Sequence, residues 1–290
     1  FLWSICFPLI SLGIAYAPHL TFAAMRAFIA GVVLLLPALI MQRPQPSDIK
    51  TWLTLGTIGL SATTLGFFGM FHASEFVSPG IATVIGNAQP LMAAVLATFM
   101  LKEYLSGSNK TGLLLGFLGI VLIAFPSFLS GTENSFSIGV VYIFLSTVGI
   151  TFSNVLIRKI AGKIDALSAM GWQLIFGSIF LGLIALATED VEAVTWNAQF
   201  LLSLLGLALP GTALAYWLWC YVLEQVELSQ ANVFSFLVPI FGLTMGVLFF
   251  QESIGLTSVL GIVLTLVGIW LVNRPVNQNI GSSREIPTDG

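Results

Sequence analysis

Charge is what this sequence has least of. Of 290 residues, ten are Lys or Arg and thirteen are Asp or Glu, 8% in all, where a soluble domain carries about a quarter. No basic patch or aromatic–basic alternation marks a nucleic-acid surface, and a net charge of −3 says nothing about partners. The two cysteines, Cys6 and Cys220, both sit in apolar runs, so no disulfide framework is implied. Catalytic constellations are missing too. There is no His-Glu-x-x-His, no pair of acids inside an apolar run, no Ser/His combination within reach, and no Gly-x4-Gly-Lys-[Ser/Thr] run of an ATPase. No enzyme is expected, and nothing calls for a cofactor or a metal.

What is abundant is apolar: 57% of residues, a membrane profile. The apolar runs number ten, at about 1–16, 20–41, 52–73, 80–101, 111–129, 137–157, 167–187, 199–223, 229–250 and 256–272. A span of about 30 Å needs roughly 20 residues. The first run is short for that, so the natural chain is expected to begin earlier. It has no charged lead and no cleavage site of a signal peptide. Polar segments at 42–51 and 130–136 (SGTENSF) read as a loop and a hinge between halves.

Charge placement tests the count of ten. With loops assigned alternately to two sides, Arg43, Lys50, Lys102, Lys110, Arg158, Lys159, Lys163, Arg274 and Arg284 share one side. The other side receives acids such as Glu133, Glu189, Asp190 and Glu192 and no Lys or Arg. Nine against zero is a strong positive-inside signal and predicts both termini cytoplasmic.

The chain also repeats itself. Shifted by 149 positions, 82–126 lies without a gap on 231–275, with ten of 45 positions identical. The shared punctuation carries more weight than shared Leu or Val: Pro90 on Pro239, Glu103 on Glu252, Gly112 on Gly261, Gly119 on Gly268 and Pro126 on Pro275. Just upstream, Glu75 falls on Glu224. Prolines and glycines fix backbone geometry, so matched spacing predicts matched architecture. Five helices per half is an odd number, so the second half is expected to enter the membrane upside down. Inverted repeats are a recurrent transporter plan, with the site near the midplane between halves.

These residues resemble the EamA branch of the drug/metabolite transporter superfamily. The resemblance rests on the mid-helix prolines (Pro90, Pro239), the glutamate closing each of those helices (Glu103, Glu252) and the Gly-x6-Gly helix that follows (Gly112/Gly119, Gly261/Gly268). Arg26, in MRAFIAG, matches the family's arginine at the opening of the second helix. The resemblance covers essentially the whole chain. It implies an all-α membrane protein with ten transmembrane helices in two inverted five-helix repeats, here 1–131 and 132–275, followed by a disordered cytoplasmic tail at 276–290. It does not specify a substrate. Glu75 and Glu224 depart from the pattern, standing where small or apolar residues are expected.

Candidate site residues follow. Pro90 and Pro239 kink helices four and nine and free a carbonyl, which lipid tolerates only against protein or a wet cavity. Asn87, Gln89, Asn232 and Ser235 stand beside them as hydrogen-bonding side chains. The alternative is a packing kink with polar contacts between helices. Trp3, Ser4, Pro8, Ser153 and Asn154 offer comparable groups on helices one and six. Arg26 is the sole Lys or Arg inside a span. It suits a carboxylate or phosphate gripped bidentately, or it snorkels to the headgroups or pins neighbouring helices. Aromatics of helices three and eight, Phe68 and Trp217 foremost, form either an apolar wall or an interfacial belt. His72 offers a group for proton coupling, or serves structure. Glu103 and Glu252 suit helix capping. Helices five and ten, glycine-bearing and without ionisable residues, are expected to be peripheral supports.

The function implied is a secondary carrier in a bacterial inner (plasma) membrane, exporting small organic metabolites such as amino acids by alternating access. Sugar-phosphate or nucleotide-sugar exchange is a sibling reading. From other classes, a membrane scaffold, an intramembrane enzyme or a simple channel remain alternatives.

Overall fold

The computed structural model describes residues 1–89, 91–92, 107–129, 133–225, 237–252 and 254–272. Its described residues form ten helices: α1 (Cys6–Gly13), α2 (His19–Ile40), α3 (Ile49–Ala73), α4 (Pro79–Gly86), α5 (Gly107–Leu129), α6 (Glu133–Ile160), α7 (Ala166–Thr188), α8 (Ala198–Gln225), α9 (Leu237–Phe250) and α10 (Leu256–Val272). Each answers one of the ten apolar runs. α6 already begins at Glu133, so residues 133–136, expected in the hinge, are helical. The tail at 276–290, Pro90, Glu103, Asn232 and Ser235 lie outside the described residues.

Helix starts are set locally. Asp48 caps α3 by accepting the Thr51 amide at 2.9 Å, and Asn197 caps α8 by accepting the Phe200 amide at 2.8 Å. The Thr51 hydroxyl and amide both hold the exposed Asp48 carboxyl below the usual carboxylate range. Asp165 caps α7 through the amides of Leu167 and Ser168. The turn from α6 into α7 passes through Gly162 at φ 73°, a conformation that glycine adopts at no steric cost.

Five helices (α2, α3, α7, α8 and most of α6) are long and apolar enough to cross a membrane. Their outward faces carry exposed Leu36, Ile40, Leu183, Leu186 and Leu202. Exposed large apolar side chains stand on every described helix except α4, as a lipid-facing or partner-facing surface requires. Inside, a stripe on α2 of Ala23, Ala27, Ala30 and Leu34, all buried, recurs at helical spacing. These small side chains let α2 pack closely against α7, with Gly31 on Ile175 and Gly171 on Leu35.

The duplication reappears as reciprocal contacts. A methyl group at Gly119 would lie 2.5 Å from the carbonyl oxygen of Gly261, and one at Gly268 would lie 2.5 Å from that of Gly112. Gly119 and Gly268 are repeat equivalents, and so are Gly112 and Gly261. The α5–α10 pair therefore makes the same contact twice, as two units related by a twofold do. A second reciprocity was not foreseen. α3 and α8 each contain a π-helical turn, Gly59–Leu65 and Leu209–Leu214, which end 149 positions apart.

The two ends of the bundle differ in charge. At one end Glu189, at the close of α7, accepts hydrogen bonds from the Leu20 and Thr21 amides and the Thr21 hydroxyl at 2.8, 2.8 and 2.9 Å, capping α2. There too, Glu75 lies 3.2 Å from His19. At the other end Arg158 donates to the Leu223 carbonyl at 2.8 Å, and Gln45, two residues beyond Arg43, donates to Ser168 at 2.9 Å.

Candidate functional site

A cavity of about 120 Å³ opens between the helices, lined by residues of α1, α2, α3, α4, α6, α8 and α9, with Trp3 just before α1 and Asn87 and Gln89 just after α4. That is room for several waters, each needing roughly 10–15 Å³ on the same measure, or for a small organic solute. Its wall is mainly apolar: Trp3, Phe7, Phe67, Met70, Ile143, Ile150, Tyr216, Trp219 and Val238. The polar groups are few, as an organic-solute pocket requires: Arg26, Thr83, Asn87, Gln89, Ser146, Thr147 and Asn154. None of the described lining residues is acidic, and none comes from α5 or α10.

Arg26 is the charge of this site and is 2% exposed. Burial that deep rules out the snorkelling reading. Its Nε donates to the Thr212 hydroxyl at 2.7 Å and its Nη2 to the Cys6 sulfur at 3.4 Å, while Phe67 lies 4.2 Å beneath the guanidinium. Nη1 finds no partner. Thr212 stands within the π turn of α8, where its own hydroxyl donates to the Leu207 carbonyl at 2.7 Å. The π turn thus places an acceptor where an arginine of α2 can reach it. The Nε–Nη2 edge of Arg26 is already engaged, so a bidentate grip is closed on that edge, and Nη1 is left at the free end of the guanidinium.

On α4, regular helix ends at Gly86 and residues 87–88 form a turn. A proline at 90 has no amide to give the Gly86 carbonyl, so the break falls at the cavity wall. Asn87 sits there 9% exposed, its Nδ2 without a partner. Across the cavity, Trp219 donates its indole N–H to Asn154 at 3.1 Å and packs edge-on against Trp3 at 5.0 Å.

Of the residues singled out from sequence, Trp3, Arg26, Asn87, Gln89 and Asn154 come together here, and Ser4, Pro8 and Ser153 are not among the described lining residues. Phe68 and Trp217 do not line the cavity: Phe68 packs 4.4 Å from His72, and Trp217 lies 6.4 Å from Tyr221. Their places are taken by Phe67, Tyr216 and Trp219. Pro239 is buried in α9 and is not among the described lining residues, although its neighbour Val238 is. His72, the candidate for proton coupling, lies 5.5 Å from the ring of His19, outside the cavity. Glu252 does cap a helix, but not the one that follows it. It accepts the Gly80 amide of α4 at 2.8 Å, in the other repeat. The polar residues missed were Cys6, Thr83, Ser146 and Thr147. The last two form, with Asn154, a polar stripe at helical spacing in α6 that periodicity alone reveals.

Comparison with known proteins gives the cavity its context. The model of the EamA-like transporter family matches residues 1–125 and 137–274. An uncharacterized transporter of Bacillus subtilis, YvbV, is 29% identical over 274 residues, 94% of this chain and 88% of its own. Protein PecM of Dickeya dadantii is 26% identical over 255 residues, 86% and 81% of the two chains. A WAT1-related chloroplastic protein of Arabidopsis thaliana is 28% identical over 260 residues, 87% of this chain but 62% of that longer one. A protein of known crystal structure, 17% identical, shares the fold at a TM-score of 0.66 over 93% and 92% of the two chains. With a family match across both repeats, the chain belongs to the EamA-like transporter family.

Proposed function

We propose that this transporter is a secondary carrier that exports small organic metabolites, such as amino acids, by alternating access. Its two five-helix repeats, 1–131 and 132–275, are read as inverted. Its setting is read as a bacterial plasma membrane with both termini in the cytoplasm. The observation carrying the proposal is the cavity: helices of both halves meet around a mainly apolar chamber with one buried charge and a few convergent polar side chains. Such a chamber binds an organic solute without holding it so tightly that release fails. Sugar-phosphate or nucleotide-sugar exchange fits less well, because Arg26 is the only Lys or Arg among the described lining residues, and a phosphate dianion needs more than one.

Asn87, Gln89, Arg26 and Asn154 are proposed as solute contacts, joined by Phe67, Tyr216 and Trp219. The reading is tested by comparing metabolites inside and outside cells with and without the protein. A small organic solute should accumulate outside when the protein is present and inside when it is absent. Identical profiles in both compartments would remove the proposal.

A further inference from the structure

Arg26 holds more charge than its structural contact needs. The comparison comes from the other repeat. There Gln173 of α7 meets the Thr63 hydroxyl at 2.8 Å, and Thr63 stands 149 positions before Thr212, in the π turn of α3. Gln173 is fully buried and does not line the cavity. A neutral amide therefore ties α7 to the π turn of α3, as the guanidinium ties α2 to that of α8. The positive charge at 26 has a use that this tie does not explain.

The cavity supplies that use. Among the described residues no salt bridge reaches Arg26, and an uncompensated buried charge is costly. Its free Nη1 is one unpartnered donor, and Asn87 Nδ2 is a second, both on residues lining one cavity and both on side chains at least nine-tenths buried. Two donors without acceptors, beside one uncompensated positive charge, describe the complement of a group with two oxygens and one negative charge. A phosphate dianion would leave a charge over. An ammonium group would find no acid among the described lining residues.

We infer that Arg26 and Asn87 form a carboxylate subsite, one oxygen on Nη1 and the other on Nδ2, so that the carrier's solute is a small monocarboxylic acid. Its apolar body lies against Phe7, Phe67, Ile143 and Trp219. The inference rests on the cavity being the solute site and narrows that reading to acids without an ammonium group, setting its amino-acid example aside. Arg26 offers Nη1, because its Nε–Nη2 edge stays with Thr212 and Cys6, and Asn87 supplies the second hydrogen bond.

The test uses the purified protein in lipid nanodiscs and four probes on one carbon skeleton: 4-methylpentanoate, 4-methylpentanamide, 4-methylpentan-1-amine and leucine. Binding is read from saturable thermal stabilisation. The acid should bind at least about tenfold more tightly than the amide, as a charge-assisted hydrogen bond into a buried site implies, and more tightly than leucine. The amine should not bind. Arg26→Gln, which reproduces the neutral partner found in the other repeat, should erase the preference of acid over amide while keeping the fold. Equal binding of acid and amide by the unaltered protein overturns the subsite, as does the absence of saturable binding by the acid, or a preference that survives Arg26→Gln. Should Arg26→Gln fail to fold, the four-probe series on the unaltered protein decides alone. Transport is scored separately in proteoliposomes. Acid and amide carried equally well would sink the subsite and leave the carrier standing. Selective acid binding without exchange of labelled acid would do the reverse.

Discussion

Replacing Gly119 by alanine tests the reciprocal packing of α5 and α10. The new methyl would sit 2.5 Å from the Gly261 carbonyl oxygen and 2.6 Å from the Thr265 amide nitrogen, with the Thr265 hydroxyl also in contact. Two of these atoms are backbone, so no rotamer change relieves the clash, and the helices must separate. Overpacking of this kind costs about 1–3 kcal/mol, set against a gain of about 1 kcal/mol from replacing glycine inside a helix. Gly56, in α3, is the control, because a methyl there meets nothing within 4 Å. Gly56→Ala should therefore raise the unfolding temperature and Gly119→Ala should lower it, in the same lipid and at the same protein level. Scanning fluorimetry in nanodiscs reads both. If both substitutions stabilise the protein, the close approach of α5 and α10 is wrong, and with it the twofold relation drawn from Gly119, Gly261, Gly112 and Gly268.

Two other outcomes are expected. Glu189→Ala removes three hydrogen bonds to the first turn of α2 and should cost about 2–4 kcal/mol, bonds to a charged group being worth about 1.5–3 kcal/mol each before solvent screening. Glu189→Gln, which keeps an acceptor, should lose less, and equal losses would show the charge to be idle. A cysteine at Glu192 should react with an impermeant thiol reagent on intact cells, and one at Lys163 only after permeabilisation. The opposite pattern would invert the assigned orientation.

Much of the architecture was legible because it rests on residues whose constraints are local. Prolines, glycines and charges mark helix limits, and their 149-residue offset exposed the duplication. The cavity wall was harder to read at α3 and α8. A π turn adds a residue to the helical turn, and each residue advances the face by about 100°. The π turns of Gly59–Leu65 and Leu209–Leu214 precede the wall on both helices, which is why Phe67 and Trp219 face inward and Phe68 and Trp217 do not. Nothing in the local sequence signals a π turn whose threonine is held by a distant Arg26 or Gln173. The burial of Arg26 and the cap from Glu252 to Gly80 escaped for the same reason. Both partners lie in the opposite repeat, more than 170 residues away.

The central claim is that one cavity serves a carrier that alternates between two sides. Counterflow tests it most directly. Proteoliposomes are loaded with the unlabelled form of whichever solute the cell comparison identifies, and uptake of the labelled form is followed. A carrier gives a transient overshoot of label driven by the internal solute, and a channel or scaffold gives none. The overshoot should vanish in Gly86→Leu. A methyl at that position already lies 3.6 Å from Phe7 and 3.7 Å from Ile143, so a leucine there fills the cavity from α4. No overshoot with the unaltered protein, or an undiminished one with the cavity filled, would contradict the account.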